Sequence, residues 1–344
     1  MISRNFLDMV LSVVNSNYAS DADLDLIAGN RSIFSNCTMI AKRNGLYYRF
    51  INEFMKRHIC LPFLDANNWN SELERLSEFK KSINLINHVS KKYNFDYILI
   101  KDCNTIEHVP RDIDIFIREG DSLRAIEAFK ENGMRYVESS ITEMILQQEG
   151  YVDIEIYNKI NYLGKDYIDE SYIFDSILDC SIFGINYHGM DSNANLILTL
   201  IHDLVGHRRI TLLDFLHIEN IMSDADIDKC RQYTLMKGWQ NVFDLAIDEL
   251  NRINNLVIVE RVFISFPYIF PRSFMMKCFS LMGNLTSNRS RFIIYLSLIQ
   301  DGIVEQIKKT ILYDFIKSNK PIDIALASFI NSINFKKYRG DKHK

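Results

Sequence analysis

The chain has 344 residues, 47% of them hydrophobic, which is room and material for two compact domains with conventional cores. Its 40 lysines and arginines stand against 44 aspartates and glutamates, and the net charge of −4 gives no global basic footprint, so nucleic acid is neither required as a partner nor excluded. The six cysteines, Cys37, Cys60, Cys103, Cys180, Cys230 and Cys278, are scattered without C-x-x-C spacing, which argues against a zinc site or a disulfide framework and predicts reduced thiols in a cytoplasmic protein.

From Met1 to Asp8 acidic and polar residues come too early for the apolar core of a signal peptide, and the segment reads as the start of an amphipathic helix. Residues 1–93 read as a helical N-terminal segment: Asn5 to Val14, Ile33 to His58, and Asn70 to Tyr93 after the polar break Asp65-Ala66-Asn67-Asn68. Residues 94–190 change to short strands around one helix. They run Tyr97 to Ile100, Arg111 to Ile117, a helix from Ser122 to Asn132 capped by Asp121 and ended at Gly133, then Arg135 to Glu138 and Tyr151 to Tyr157, a β-β-α-β-β order. A further apolar run, Ser181 to Tyr187, predicts an edge strand.

Residues 191–335 read as a helical domain with helices at Ala194–Leu204, Leu212–Met222, Ala225–Lys237, Val242–Asn254, Arg289–Gln300, Ile303–Ile316 and Ile322–Phe335. Between them, Leu256 to Met282 is strongly apolar, but Glu260, Arg261, Pro267, Pro271, Arg272 and Lys277 leave no run of about 20 apolar residues, and no membrane span is expected. Phe263, Phe266, Tyr268, Phe270 and Phe274 in that stretch read as buried helix ends and loop rather than as a membrane contact. Residues 336–344 form a basic, solvated tail. The expected class is α+β, a small mixed sheet flanked by an N-terminal helical segment and a C-terminal helical bundle.

Two strand-like runs carry the chemistry. In Arg111-Asp112-Ile113-Asp114-Ile115-Phe116-Ile117 alternation puts Asp112 and Asp114 on one face and the isoleucines on the other. The two acids lie two strand steps apart, roughly 6.6 Å between Cα atoms, a spacing that lets both carboxylates converge on a hard cation such as Mg2+. Tyr151-Val152-Asp153-Ile154-Glu155-Ile156-Tyr157 repeats the pattern with Asp153 and Glu155. If the strands are neighbours the acidic faces merge, and their mutual repulsion calls for a divalent cation. The plain alternative for each strand is a sheet with one solvated, acidic face.

An apolar strand ending in lysine, Ile98-Leu99-Ile100-Lys101, then Arg111-Asp112-Ile113-Asp114, a short helix, and Val152-Asp153-Ile154-Glu155-Ile156 resemble, in that order, the DNA polymerase β-like nucleotidyltransferase superfamily. More narrowly the chain looks like its uncharacterised nucleotidyltransferase branch, whose helical H...H...LxxD stretch is matched by Leu198 to His202, His207-Arg208-Arg209 and Leu212-Leu213-Asp214. The likeness spans roughly residues 95 to 240, about two fifths of the chain. Members carry Gly-Ser or Gly-Gly at the turn before D-x-D, where this chain has Lys101-Asp102-Cys103.

The resemblance implies transfer of a nucleoside monophosphate from an NTP to a hydroxyl acceptor, assisted by two Mg2+ ions held by Asp112 and Asp114. A third carboxylate completes the inner metal and helps deprotonate the acceptor. It is Asp153 or Glu155, with Asp153 favoured for its shorter arm, and a solvated strand residue is the plain reading of Glu155. Lys101, Arg111, His207 and Arg208 are the candidates for nucleotide phosphate contacts. His202 and His207 are five residues apart, about 140° around a helix, and so are poor joint metal ligands, while Asp214 most simply pairs with Arg208 or Arg209 and His108 reads as an incidental loop histidine. The acceptor is a small molecule, a protein side chain or an RNA end, with long nucleic acid disfavoured by the net charge. The absent Gly-Ser turn leaves a second reading, a degenerate nucleotidyltransferase fold that binds a nucleotide or a partner without turnover, and a toxin-like transferase acting on tRNA or protein shares the same core.

Overall fold

The computed structural model describes residues 6–15, 19–101, 106–139, 143–162, 165–203, 209–255 and 268–269. Helices fill the first part, and side-chain caps open three of them, at Ser20, Asn30 and Asp65. Helix α1 spans Phe6–Val14, and α2, Asp21–Gly29, starts with a capping box in which the Ser20 hydroxyl accepts from the Asp23 N–H and the Asp23 carboxylate accepts from the Ser20 N–H. The second of these escapes the apolar periodicity, since its buried side is only Leu24, Ile27 and Ala28. Helix α3, Arg31–Arg43, begins on the Asn30 side chain. It is followed by α4, Tyr47–Lys56, and α5, Ala66–Tyr93, which opens on Asp65 and ends at Asn94 in the left-handed region with φ 54.

The expected single helix from Ile33 to His58 is therefore two. Gly45, at φ +73, turns the chain between them, yet the apolar spacing continues because Phe34 of α3 meets Phe50 and Phe54 of α4 at 6.4 Å each. Asn44 fixes this corner: its amide donates to the Ile40 carbonyl at 2.9 Å and its Oδ1 accepts from the Leu212 N–H at 3.0 Å.

The sheet contains five strands, β1 (Tyr97–Leu99), β2 (Asp112–Ile117), β3 (Arg135–Ser139), β4 (Glu143–Gln147) and β5 (Asp153–Tyr157), in the order β1-β2-β5-β4-β3. Helix α6, Ser122–Glu131, follows a single 3-10 turn at Glu119–Asp121. Strand β1 runs antiparallel to β2, β4 antiparallel to β5, and β2 parallel to β5, so the sheet is mixed. Strand β4 is the element the sequence pattern hides: Met144-Ile145-Leu146 is a short apolar run without alternation. One sheet face is core. Ile113, Ile115, Ile117, Ile154 and Ile156 are fully buried there, as are Phe79, Ile83, Ile86 and Val89 of α5, and α5 is tied to the sheet where the Ser82 hydroxyl accepts from the Val152 N–H at 3.1 Å.

Beyond the sheet lie a two-residue ladder, β6 (Asn161–Tyr162) with β7 (Lys165–Asp166), and helix α7, Glu170–Asp175. Strands β8 (Ile177–Ile182) and β9 (Ile185–Met190) follow as an antiparallel hairpin. The expected edge strand over Ser181–Tyr187 is thus the tip of this separate two-stranded sheet, because Phe183 and Gly184, at φ 50 and 79, turn the chain back in the middle of the run.

Helices α8 (Ser192–Ile201), α9 (Leu212–Asp224), α10 (Ile227–Met236) and α11 (Gln240–Asn254) form the helical part, with β10 (Arg209–Ile210) pairing β11 (Tyr268–Ile269). Trp239 is buried, edge-on to Tyr167 at 5.8 Å, with its indole N–H donating to the Asp166 carbonyl at 3.3 Å. The architecture is α+β with helices on either side in sequence, and apart from Ser139 every described residue belongs to one compact unit. No helix among the described residues is long and apolar enough to cross a membrane. The three helices expected between Arg289 and Phe335, the aromatic stretch at Phe263, Phe266, Phe270 and Phe274, and the basic tail lie outside the described residues.

Gly45 gives a direct test of the corner. A Cβ there would sit 3.0 Å from Leu213 Cδ2 on a backbone with φ +73, so Gly45→Ala should destabilise the protein by about 1–2 kcal/mol, read as a lower urea midpoint at unchanged slope.

Candidate active site

The register of β2 on β5 sets Asp112 beside Asp153 and Asp114 beside Glu155, and alternation then puts all four acids on the face opposite the isoleucine core. Burial deepens along this face. Asp112 and Asp153 are half-buried at the start of their strands, Asp114 is 13% exposed by side chain, and Glu155 is buried at 6%. The shallow end meets a cleft of about 510 Å3 lined by Gly133, Arg135, Gln147, Gln148, Glu149 and Asp153.

Lys101 completes the group through its backbone. The Ile100 N–H donates to the Asp114 carbonyl at 2.9 Å, which continues the β1 pairing by one residue. A further strand step would send residue 101 to the isoleucine face. Lys101 instead adopts φ +68, in the left-handed region, and its ammonium reaches back to donate to Asp114 Oδ2 at 2.7 Å while lying 5.0 Å from the centre of the Tyr157 ring. Gln147 of β4 donates to Asp153 Oδ2 at 2.7 Å, and the Tyr157 hydroxyl donates to Glu155 Oε2 at 3.1 Å. Asp114 Oδ1 is buried with no hydrogen-bond partner among the described residues.

Burial pushes the Asp114 carboxyl up to about 7; the Lys101 ammonium pulls against this, and the Glu155 and Asp112 carboxylates push with it. Burial likewise works against the Lys101 ammonium, but the Asp114 carboxylate outweighs it and holds Lys101 above the ordinary lysine value. Two further buried groups feel the charge of this lysine. The buried Tyr167 phenol is raised by burial and feels both Lys101 and Asp203, and Asp203, buried just past α8, is pushed well above the usual carboxylate range by burial and by Asp214, with Lys101 opposing.

The structure therefore brings Asp112, Asp114, Asp153 and Glu155 to one face and adds Lys101 to it. Arg111 is exposed at the entry to β2, and His207 and Arg208 lie outside the described residues. His108 is buried with its Nδ1 3.3 Å from the Ile106 carbonyl, and burial pushes its pKa down. Asp214, expected to pair with an arginine, closes the capping box of α9: its Oδ2 accepts from the Thr211 N–H and hydroxyl, both at 2.7 Å. Sequence reasoning missed Asp203, Tyr167 and Gln147. Asp203 did carry a signal: a carboxylate at the C-terminal end of an all-apolar helix opposes the helix dipole, so its presence there asks for a reason.

The donor set suits a hard divalent cation. All four acids offer oxygen, the chemistry Mg2+ prefers, and the buried Asp114 Oδ1 lacks a partner among the described residues. The ammonium on Asp114 Oδ2 stands where part of that positive charge would go, and among the described residues no three His, Cys, Asp or Glu side chains already converge as a formed metal site.

No protein-family profile matches the chain, and no curated protein is similar to it. Among solved structures, it is similar to the lincosamide antibiotic adenylyltransferase LnuA bound to lincomycin, at 19% identity over 43% of this chain and 99% of that one, with a TM-score of 0.34. It is also similar to the antibiotic-resistance factor ANT(2'')-Ia in solution, at 12% identity over 51% of this chain and 98% of that one, with a TM-score of 0.36. Likenesses of this size leave the chemistry to be read from the residues themselves.

The repulsion on the acid face is measurable. The folded state holds the Asp114 proton more tightly than the unfolded chain, so that contribution to stability is full below the ordinary carboxylate pKa and is lost as pH rises through about 7. Glu155→Gln removes one of the charges that Asp114 feels while keeping the acceptor for Tyr157. In EDTA it should stabilise the protein by about 1 kcal/mol at pH 8, with the gap closing toward pH 4. A gap independent of pH in urea titrations would contradict the charge account.

Proposed function

We propose that the chain is a Mg2+-dependent nucleotidyltransferase that moves a nucleoside monophosphate from an NTP to a hydroxyl acceptor. The observation that carries this reading is the parallel pairing of β2 with β5, which lines up four carboxylates on one sheet face beside a cleft. Asp112 and Asp114 would hold the metal, with Asp153 as the third oxygen donor. When bound, magnesium neutralises charge on the triphosphate and on the departing pyrophosphate.

The remaining work falls to the chain. Asp153 lies at the cleft with its Oδ2 fixed by Gln147, so its carboxylate is the better placed to take the acceptor proton, while Glu155 is deeper and occupied by the Tyr157 hydroxyl. The acceptor oxygen bonds to the α-phosphorus as the bond from that phosphorus to the α–β bridging oxygen breaks. Pyrophosphate leaves with the electron pair, and the hydroxyl proton passes to the carboxylate. Lys101 and Arg111 would meet the phosphates from the sheet, joined by His207 and Arg208.

The ammonium seated on Asp114 favours one second reading, a protein of this fold that binds a nucleotide or a partner without turnover. Incubation with α-labelled NTPs, Mg2+ and a panel of small hydroxylated acceptors, RNA and cell extract separates the two. Catalysis predicts metal-dependent label transfer that falls at least about 100-fold in Asp112→Asn/Asp114→Asn. Stabilisation by NTP and Mg2+ with no transfer to any acceptor would leave the binding reading in its place.

A further inference from the structure

The two oxygens of Asp114 stand in different situations. Oδ2 accepts from the Lys101 ammonium at 2.7 Å, whereas Oδ1 is buried with no hydrogen-bond partner among the described residues. The ammonium has a second partner in the Tyr157 ring, whose centre lies 5.0 Å away, so it is held from β2 and from β5 at once. Lys101 is placed there by a backbone at φ +68, a conformation that costs a side-chain-bearing residue energy and persists where its contacts offset that cost. The two side chains are 22% and 13% exposed, so the pair is interior and weakly screened by water.

A buried carboxylate oxygen without a donor is disfavoured, and a hard cation supplies what it lacks. Asp112, half-buried on the same strand face, adds its carboxylate on the cleft side. A second divalent cation would have to take Oδ2. There it would meet the ammonium already bonded, two positive charges in contact with little water between them. We propose that the acid face holds one divalent cation, on Asp112 and on Oδ1 of Asp114, and that the Lys101 ammonium stays on Oδ2 as the fixed charge that takes the place of a second ion. This rests on the metal-binding reading above and assigns that site its count. It departs from the pair of ions that the sequence resemblance implies. An ammonium carries three N–H donors, so the bond to Oδ2 leaves others for a substrate phosphate.

Counting manganese tests this in the full chain. Mn2+ is titrated alone and with the α,β-methylene analogue of ATP. Bound ion is the excess on the protein side of a dialysis membrane, and neighbouring ions are recognised by the paramagnetic resonance signal of a spin-coupled pair. Asp112→Asn/Asp114→Asn, measured alongside, gives the background of ions held elsewhere. Wild type should hold one Mn2+ per chain above that background in both titrations, with no coupled pair. Lys101→Met and Lys101→Ala, each shown to be folded by a thermal melt, should take up a second ion and show the coupled signal of ions about 3.5–4 Å apart. Two ions or a coupled pair in wild type, a count that needs no variant, overturns the proposal and leaves the metal site standing. One ion in the folded lysine variants overturns the part given to Lys101. No ion above background in folded wild type overturns both the proposal and the metal-binding reading.

Discussion

The parallel contact between β2 and β5 is the constraint on which the candidate site depends. A sheet slipped by one residue would turn Asp112, Asp114, Asp153 and Glu155 into the face covered by α5 and bring the isoleucines out. Each fully buried isoleucine on the core face contributes about 1.5–3 kcal/mol, and Ile113, Ile115, Ile117, Ile154 and Ile156 act together. That sum is much larger than the repulsion among partly solvated carboxylates. The acids do not hold the strands in register. The isoleucines hold the acids together, and the fold can therefore carry a row of like charges.

Such a row is tolerable only where something answers it. Among the described residues Lys101 is the cation bonded to Asp114, and it reaches the acid face through a left-handed backbone that ordinary side chains avoid. Gln147 donates to Asp153 and Tyr157 to Glu155, which fixes the direction of each carboxylate. The repulsion bears on Asp114: burial first, then the Glu155 and Asp112 carboxylates, push its carboxyl up to about 7 while the Lys101 ammonium opposes them. The same carboxylate holds the ammonium against the cost of its own burial.

Much of this was readable from residue order. Strict alternation in Asp112–Ile117 and Asp153–Tyr157 revealed both strands, their buried faces and the acid row, because a strand with one buried face writes its geometry into every second residue. Neighbourhood was not readable. Nothing in either segment says that β2 pairs with β5 instead of β3, since pairing is decided by a crossover through α6, β3 and β4. Lys101 was chosen as a phosphate contact for its charge, but its bond to Asp114 depends on one positive φ that no side-chain pattern encodes. The split at Gly45 and the hairpin tip at Phe183 were hidden for the opposite reason: packing on one shared core kept the apolar spacing regular across a turn.

Asp203 shows how the helical part bears on the sheet. Helix α8 is buried along its whole length from Ala194 to Ile201, so the position of its C-terminal end is set by core packing and does not follow local solvent. A carboxylate just past such an end is delivered to a fixed place at an energetic cost that the helix itself cannot offset. Burial first and the Asp214 carboxylate second push this carboxyl well above the usual carboxylate range, with the Lys101 ammonium opposing them. The two buried acids are thus held differently: Asp114 on the sheet keeps a bonded ammonium, while Asp203 on the helical side is disfavoured as a charge by the core that fixes its place.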